Sequence, residues 1–333
     1  MDGVLTPWVA HGAPTSVEGV ERLGLVGLPN AGKTSLFNAL TGADAPVASH
    51  PFTTTETSVA VAPIPDARLD ALAEMSASKK VVRAGVEVVD IAGLVAGSST
   101  GEGLGNRFLA GIREVDALCL VLRAFDDASV PGETDPLEAL GTLELELVLA
   151  DLATVDAQID KRRKAARADK SLAAEVEAME RAQVALHGGT PLYRSGLDPD
   201  DAPLRRGLFL LTDKPVLVVV NVAEGQLDKA DALAAPVAAE LEGHGETLAV
   251  CVQLEAEAAR LEPADRDELL QGLGLGRGAL ARVASAAYQL LGRSIFFTTG
   301  DKESRAWSFR TGATAPECAG VIHSDLQRGF IRA

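Results

Sequence analysis

Four short apolar, β-branched runs punctuate the chain. Leu23–Val26 ends in glycine, Val86–Ile91 leads into Asp-Ile-Ala-Gly, and Ala117–Leu122 and Pro215–Val220 follow. Runs of this length and composition, bounded by turn residues, read as buried strands. Helical spacing fills the intervals, beginning at Thr34–Leu40. Strands alternating with helices predict an α/β fold with a mostly parallel sheet covered on both faces.

From about Asp135 the pattern changes. Val148, Leu152, Val155 and Ile159 form an a/d seam, Lys161-Arg162-Arg163-Lys164 follows, and Leu172, Val176 and Met179 resume the spacing until Gly188-Gly189 ends it. Two long antiparallel helices inserted between strands as a coiled-coil hairpin are predicted; two ordinary surface helices are the alternative. After Leu291, SIFFTTGDKESRAWSFR reads as two short strands with a turn, and APECAGVIHSDL as a helix. Two strands and a helix enclose little core, so this segment reads as a module without its closing strands.

Composition narrows the function. The chain has 333 residues, 47% of them apolar, with a formal charge of −16. That balance fits a globular protein and lacks the overall basic footprint of a nucleic-acid binder, so no DNA partner is expected. Cys119, Cys251 and Cys318 are too few and too scattered for a disulfide framework or a zinc site. No apolar run approaches the roughly 18–20 residues of a membrane span. Residues 1–20 lack the build of a secretory signal. They read as a flexible extension or an early start, and a cytoplasmic location without a membrane partner is expected.

The sharpest motif is Gly27-Leu28-Pro29-Asn30-Ala31-Gly32-Lys33-Thr34, which matches G-x-x-x-x-G-K-[ST] at every fixed position. Glycines let backbone N–H groups close around a phosphate at a helix N-terminus. Lys33 is then expected to reach the β- and γ-phosphates, and the Thr34 hydroxyl to bind Mg²⁺. Asp90, ending the strand of VEVVDIAG, is placed as a Walker-B aspartate for the same ion, and the Gly93 N–H to meet the γ-phosphate. Between these motifs, Pro51-Phe52-Thr53-Thr54-Thr55 offers a threonine ligand. Gly97–Asn106, with four glycines, reads as a segment that orders on nucleotide binding. Leu94 stands where many GTPases carry a water-orienting glutamine.

The base pocket reads Asn221-Val222-Ala223-Glu224 after PVLVVV, where guanine readers have Asn-Lys-x-Asp. Glutamate is one methylene longer than the aspartate that pairs with guanine, and Val222 replaces the flanking lysine. Asn221 still suits purine N7 and a 6-amino group. Losing the guanine-specific partner weakens GTP selection, so ATP is expected to be preferred.

With these motifs the chain resembles the YchF/Obg-like ATPase family of Obg-related P-loop proteins. The resemblance rests on GLPNAGKTSLFNALTG, PIPDARLDALAE, VEVVDIAGLVAGSSTGEGLGNRFL, ELVLADL, KPVLVVVNVAEG, LEAEAARL, FFTTG and TAPECAGVIHSDLQRGFIRA, spread from Leu23 to the end. It implies a P-loop NTPase domain in residues 21–135 and 205–293, a helical coiled-coil insertion in 136–204, and a partial, β-grasp-like TGS module in 294–333. It also implies Mg²⁺-dependent hydrolysis of ATP to ADP and association with the ribosome. By motif, Asn30, Ala31, Gly32, Lys33, Thr34 and Ser35 cradle the phosphates, Thr34 and Thr54 hold Mg²⁺, and Val222 meets the base through its backbone. Leu94 matches the family's hydrophobic residue in place of glutamine. The chain departs at Leu120, where the family usually has a histidine implicated in hydrolysis, and in the missing closing strands of the TGS module.

Neither Leu94 nor Leu120 polarises water, so slow turnover is expected. Charge stabilisation by Lys33 and Mg²⁺, a K⁺ ion near Asn30, or a group supplied by a partner would support it. A nucleotide-gated binding module with little hydrolysis and a GTPase are the competing readings. The basic run Lys161–Lys164 with Arg167 and Lys170 reads as a solvated hairpin tip or as a contact for ribosomal RNA phosphates.

Overall fold

The continuous apolar runs become the centre of a six-stranded sheet in the computed structural model, which describes residues 21–45, 57–91, 104–127, 130–273, 275–276 and 278–332. The strands are β1 (Arg22–Val26), β2 (Ser58–Pro63), β3 (Val81–Val82), β4 (Gly85–Asp90), β5 (Ala117–Arg123), β6 (Val216–Asn221), β7 (Gly245–Val250), β8 (Arg293–Thr298) and β9 (Ser304–Arg310). The first seven helices are α1 (Lys33–Thr41), α2 (Ala67–Met75), α3 (Leu104–Arg113), α4 (Pro136–Ala168), α5 (Ala173–His187), α6 (Ala202–Arg205) and α7 (Ala230–Glu240). Beyond them lie α8 (Val252–Ala258), α9 (Pro263–Gly272), α10 (Leu280–Leu290), α11 (Ala315–Ile322) and α12 (Ser324–Arg328).

The main sheet runs β2-β4-β1-β5-β6-β7, parallel except where β2 pairs antiparallel with β4. Every residue of β5 and β6 is buried, as strands covered on both faces require. Period-2 alternation divides them between two cores. Leu118, Leu120, Leu122, Val216, Val218 and Val220 join α3, α4 and α7 on one face. Ala117, Cys119, Val121, Leu217 and Val219 join α1 and α10 on the other. β2 and β7 were not among the four predicted strands, because SVAVAP and GETLAV alternate with small or polar residues rather than running apolar.

The hairpin forms, with an asymmetry the seam does not reveal. Asp135 caps α4 by accepting from the Leu137 N–H at 2.8 Å, and Pro136 fills its first position. The root of α4 then packs on the sheet through Leu140, Leu143 and Leu147. Its distal half packs with α5 through Val155, Ile159, Met179, Ala182 and Leu186. Gln183 donates to Asp156 at 2.6 Å and Arg163 to Glu180 at 2.9 Å, a pairing that descends one helix as it climbs the other. Buried Asp151 anchors α4 to the approach to β6, accepting from the N–H groups of Leu211 and Thr212 and from the Thr212 hydroxyl at 2.7–2.8 Å.

The C-terminal strands belong to a second, three-stranded sheet. β8 and β9 pair antiparallel, but β3, from inside the first half of the chain, adds to β9 as a third strand in parallel. Ala306 is buried in the same core as α10 and β1. Thr314 and Glu317 form a capping box at the start of α11. No helix among the described residues is long and apolar enough to cross a membrane.

Candidate nucleotide site

The parallel strands all end on one edge of the sheet, and the candidate residues collect there, as ligand sites do in open α/β folds. β1 delivers the Gly27–Thr34 loop, β4 ends at Asp90, β5 at Arg123 and β6 at Asn221. Two loop glycines are required by space. A Cβ on Gly27 would overlap the Val121 carbonyl oxygen, and one on Gly32 would overlap Asn221 Nδ2. Gly32 also sits at φ 97°, and Asn30, at φ 63°, takes a left-handed conformation that asparagine tolerates better than most residues.

Gly32 is the N-cap of α1, so no side chain caps the helix and its first turn holds no acidic residue. The leading N–H groups of such a helix favour an anion. Lys33 is buried beside them, and its ammonium donates to the carbonyls of Gly27 at 3.1 Å and Leu28 at 2.9 Å. Burial lowers its pKa to about 8, against a smaller upward pull from Asp90. A desolvated cation at the mouth of an uncapped helix is a site built for a polyanion.

Thr34 Oγ1 donates to Asp90 Oδ2 at 2.7 Å. Burial raises the Asp90 pKa, partly offset by the Thr34 bond and by Lys33. Asp90 Oδ1 is buried without a hydrogen-bond partner. A hydroxyl beside an orphaned carboxylate oxygen fits a hard cation that takes most of its ligands from phosphate and water. Among the described residues there is no group of three or more His, Cys, Asp or Glu side chains that could form an all-protein metal site.

Asn221, Val222 and Glu224 follow one another at the end of β6. Asn221 is buried and its carboxamide bonds to protein at both ends: Nδ2 donates to the Ala31 carbonyl at 3.0 Å, and Oδ1 accepts from the Val252 N–H at 3.2 Å. It braces the phosphate loop against β6 and α8. The Val222 N–H donates to the Val250 carbonyl at 3.0 Å, and Glu224 is exposed at the start of a six-residue 3-10 helix, Glu224–Lys229. Leu120 is fully buried among Val26, Ile91 and Phe108; a hydrocarbon there neither holds nor moves a proton. Ser35 lies in the first turn of α1. Thr54, Gly93 and Leu94 lie outside the described residues, as does Gly97–Gly103 of the glycine-rich segment.

Two residues escaped sequence reasoning. Arg123 is buried and donates to the backbone carbonyls of Phe125 at 2.9 Å, Val130 at 2.9 Å and Asp127 at 3.5 Å, with its guanidinium 4.5 Å from the Phe125 ring centre. Asn30 Nδ2 donates to the Pro131 carbonyl at 3.0 Å. The phosphate loop is therefore tied to the segment that leads into α4. Gln226 accepts from the Ala223 N–H at 2.8 Å and donates to the Ala124 carbonyl at 3.0 Å, joining the ends of β5 and β6. Both act on backbone atoms distant in sequence, which no motif spacing signals.

A tight glycine loop between a central strand and a helix, a buried lysine over it, and a threonine–aspartate pair across the strand ends define a P-loop nucleoside triphosphatase. A family described as a 50S ribosome-binding GTPase matches residues 22–143, and a YchF GTPase C-terminal family, described as a protein of unknown function, matches 294–333. The chain is 42% identical over 319 residues to a ribosome-binding ATPase YchF of Bacillus subtilis, covering 93% of this chain and 87% of that protein. It is 41% identical over 322 residues to the protein of that name from Escherichia coli O157:H7, covering 94% and 87%. The solved YchF GTPase of Schizosaccharomyces pombe superimposes with a TM-score of 0.78 at 30% identity, over 96% of this chain and 88% of that one. The chain belongs to the YchF family of P-loop NTPases.

Proposed function

We propose that the chain is a Mg²⁺-dependent ATPase with slow intrinsic turnover that acts as a nucleotide switch in association with the ribosome. The observation that carries this reading is the buried, desolvated Lys33 at the uncapped start of α1, next to the Thr34–Asp90 pair with its orphaned oxygen. The N–H groups from Asn30 to Ser35 bind the phosphates, and Lys33 neutralises charge on the β- and γ-phosphates. Thr34, Asp90 and Thr54 would hold Mg²⁺, which supplies charge stabilisation to the transferred phosphoryl group. Gly93 would serve the γ-phosphate. K⁺ near Asn30 is a further candidate charge.

ATP preference rests on Glu224 and Val222 replacing the aspartate and lysine of guanine readers. Asn221 has one amide hydrogen and one lone pair left beyond its bracing bonds, and these would face the purine. Ribosome association draws on the names of the relatives. The second reading, a binding module with little chemistry, draws on the hydrocarbon at position 120. Competition of ATP against GTP, run with single-turnover phosphate release, tests the set. Tight ATP binding with slow release supports the proposal. Tight binding without release favours the binding module, and a clear GTP preference overturns the pocket reading.

A further inference from the structure

Helix α4 breaks the usual rule for a surface helix. Between residues 141 and 153 its exposed positions are Gly141, Leu145, Leu149 and Ala153, a strict i, i+4 row without a polar member. Leu145 is 55% exposed and Leu149 42% exposed, and Leu137 extends the row one turn earlier. The polar residues of this stretch that a surface helix would turn outward, Glu144, Glu146 and Asp151, are instead buried. Glu144 accepts from Tyr193 and from both forks of Arg194, so this stretch buries its carboxylates alongside the inward leucines and leaves the outward row apolar. Scattered exposed leucines need no explanation, but an aligned row does.

The row has the geometry of a helix seat. Side chains at i±4 form the ridge that most often packs into the groove of a second helix. Gly141 has open space around it and forms a notch beside Leu145. The charge around the row selects the occupant. Residues 136–160 hold no lysine or arginine; of their six carboxylates Glu138, Asp156 and Asp160 are exposed and Glu144, Glu146 and Asp151 buried, and the basic run Lys161–Lys164 starts just beyond, where Arg163 pairs with Asp160. Glu133, Asp135 and Glu138 lie exposed at one end of the row, and Asp156 and Asp160 at the other. The exposed carboxylates flanking the leucines disfavour a nucleic acid on this row, and a second copy of this chain, itself at −16, would bring the same acidic surface to the seam. We propose that the α4 row is a docking seat for a protein partner presenting an amphipathic helix whose apolar stripe is flanked by lysine or arginine. The seat lies at the root of the helix whose approach segment is tied to the phosphate loop through Asn30 and Pro131.

The test uses the full chain and a synthetic leucine/lysine amphipathic helix of about 18 residues, five turns, titrated by calorimetry. Binding is expected, and Leu145→Gln with Leu149→Gln should weaken it by about tenfold or more, as loss of central apolar anchors does. Val184→Gln, at an exposed position on α5, should leave it unchanged. Both leucines are exposed, so the double variant should melt with the parent; Ala153→Arg, which adds a repelling charge to the same row, gives an independent second variant. A scrambled peptide of identical composition that binds equally well would overturn the proposal, as would a leucine/glutamate helix that does so. Self-association of the parent that the double variant abolishes, seen by sedimentation equilibrium, would assign the row to a second copy. Displacement of the peptide by an RNA oligonucleotide would assign the surface to nucleic acid.

Discussion

Lys33 makes nucleotide binding a proton-linked event. In the ligand-free protein burial holds its pKa at about 8 against an ordinary 10.5, a difference of about 3 kcal/mol in favour of the neutral amine. Polyphosphate beside the ammonium restores the charged form, so binding must take up a proton wherever Lys33 is neutral beforehand. The expected uptake is about 0.1 proton per nucleotide at pH 7, about 0.5 at pH 8 and about 0.9 at pH 9. The same shift acts on folding: between pH 8 and 10.5 the unfolded chain holds the extra proton, so the ligand-free protein should gain stability as pH rises through that window. Calorimetric titration of ADP in buffers of different ionisation enthalpy measures the uptake directly, with EDTA present to keep metal binding out of the balance. Lys33→Met removes the titrating group and should abolish the uptake while weakening affinity. Uptake at pH 8 that is absent in the parent, or equal in Lys33→Met, would refute the claim that a desolvated lysine waits for phosphate.

Asp90→Asn should reduce the Mg²⁺ dependence of nucleotide affinity while leaving metal-free ADP binding nearly unchanged, measured by titration with and without EDTA. Asp151 has its pKa raised to about 6 by burial despite three donors, so its folded form keeps a proton longer than the unfolded form, and stability should fall as pH rises from about 4 to 6 and then level off. Asp151→Asn places an amide where donors already point; it should destabilise by about 2 kcal/mol and erase that pH segment in denaturant titrations. Arg123→Met leaves three loop carbonyls without their donor and should weaken nucleotide binding about tenfold, with faster amide exchange in residues 124–132 as the readout that separates positioning from global unfolding. Leu120→His buries a polar ring in a closed core and should lower the melting temperature; a rise in single-turnover hydrolysis beside that loss would show that a proton acceptor at this position limits the native rate.

The sequence alone determined the local chemistry and the central elements of the fold. Apolar runs with turn boundaries fixed β1, β4, β5 and β6, and an eight-residue spacing located the phosphate loop, because backbone conformation and helix entry are set by neighbours in the chain. The hairpin was legible for the same reason, since its seam is a short-range period. What needed the tertiary structure was every role that depends on partners distant in sequence. Asn221 reads as a base contact in sequence, and only the fold adds that it also braces Ala31 and Val252. Leu120, which stands where the family usually has a histidine, is core, because period-2 alternation turns it toward α3 and α4. The C-terminal strands share their sheet with Val81–Val82, a partner that the C-terminal sequence does not name. Arg123, Gln226 and the leucine row of α4 are silent in one dimension. Hydrogen bonds to backbone carbonyls leave no mark on composition, and exposure is decided only when the rest of the chain has taken up the other faces.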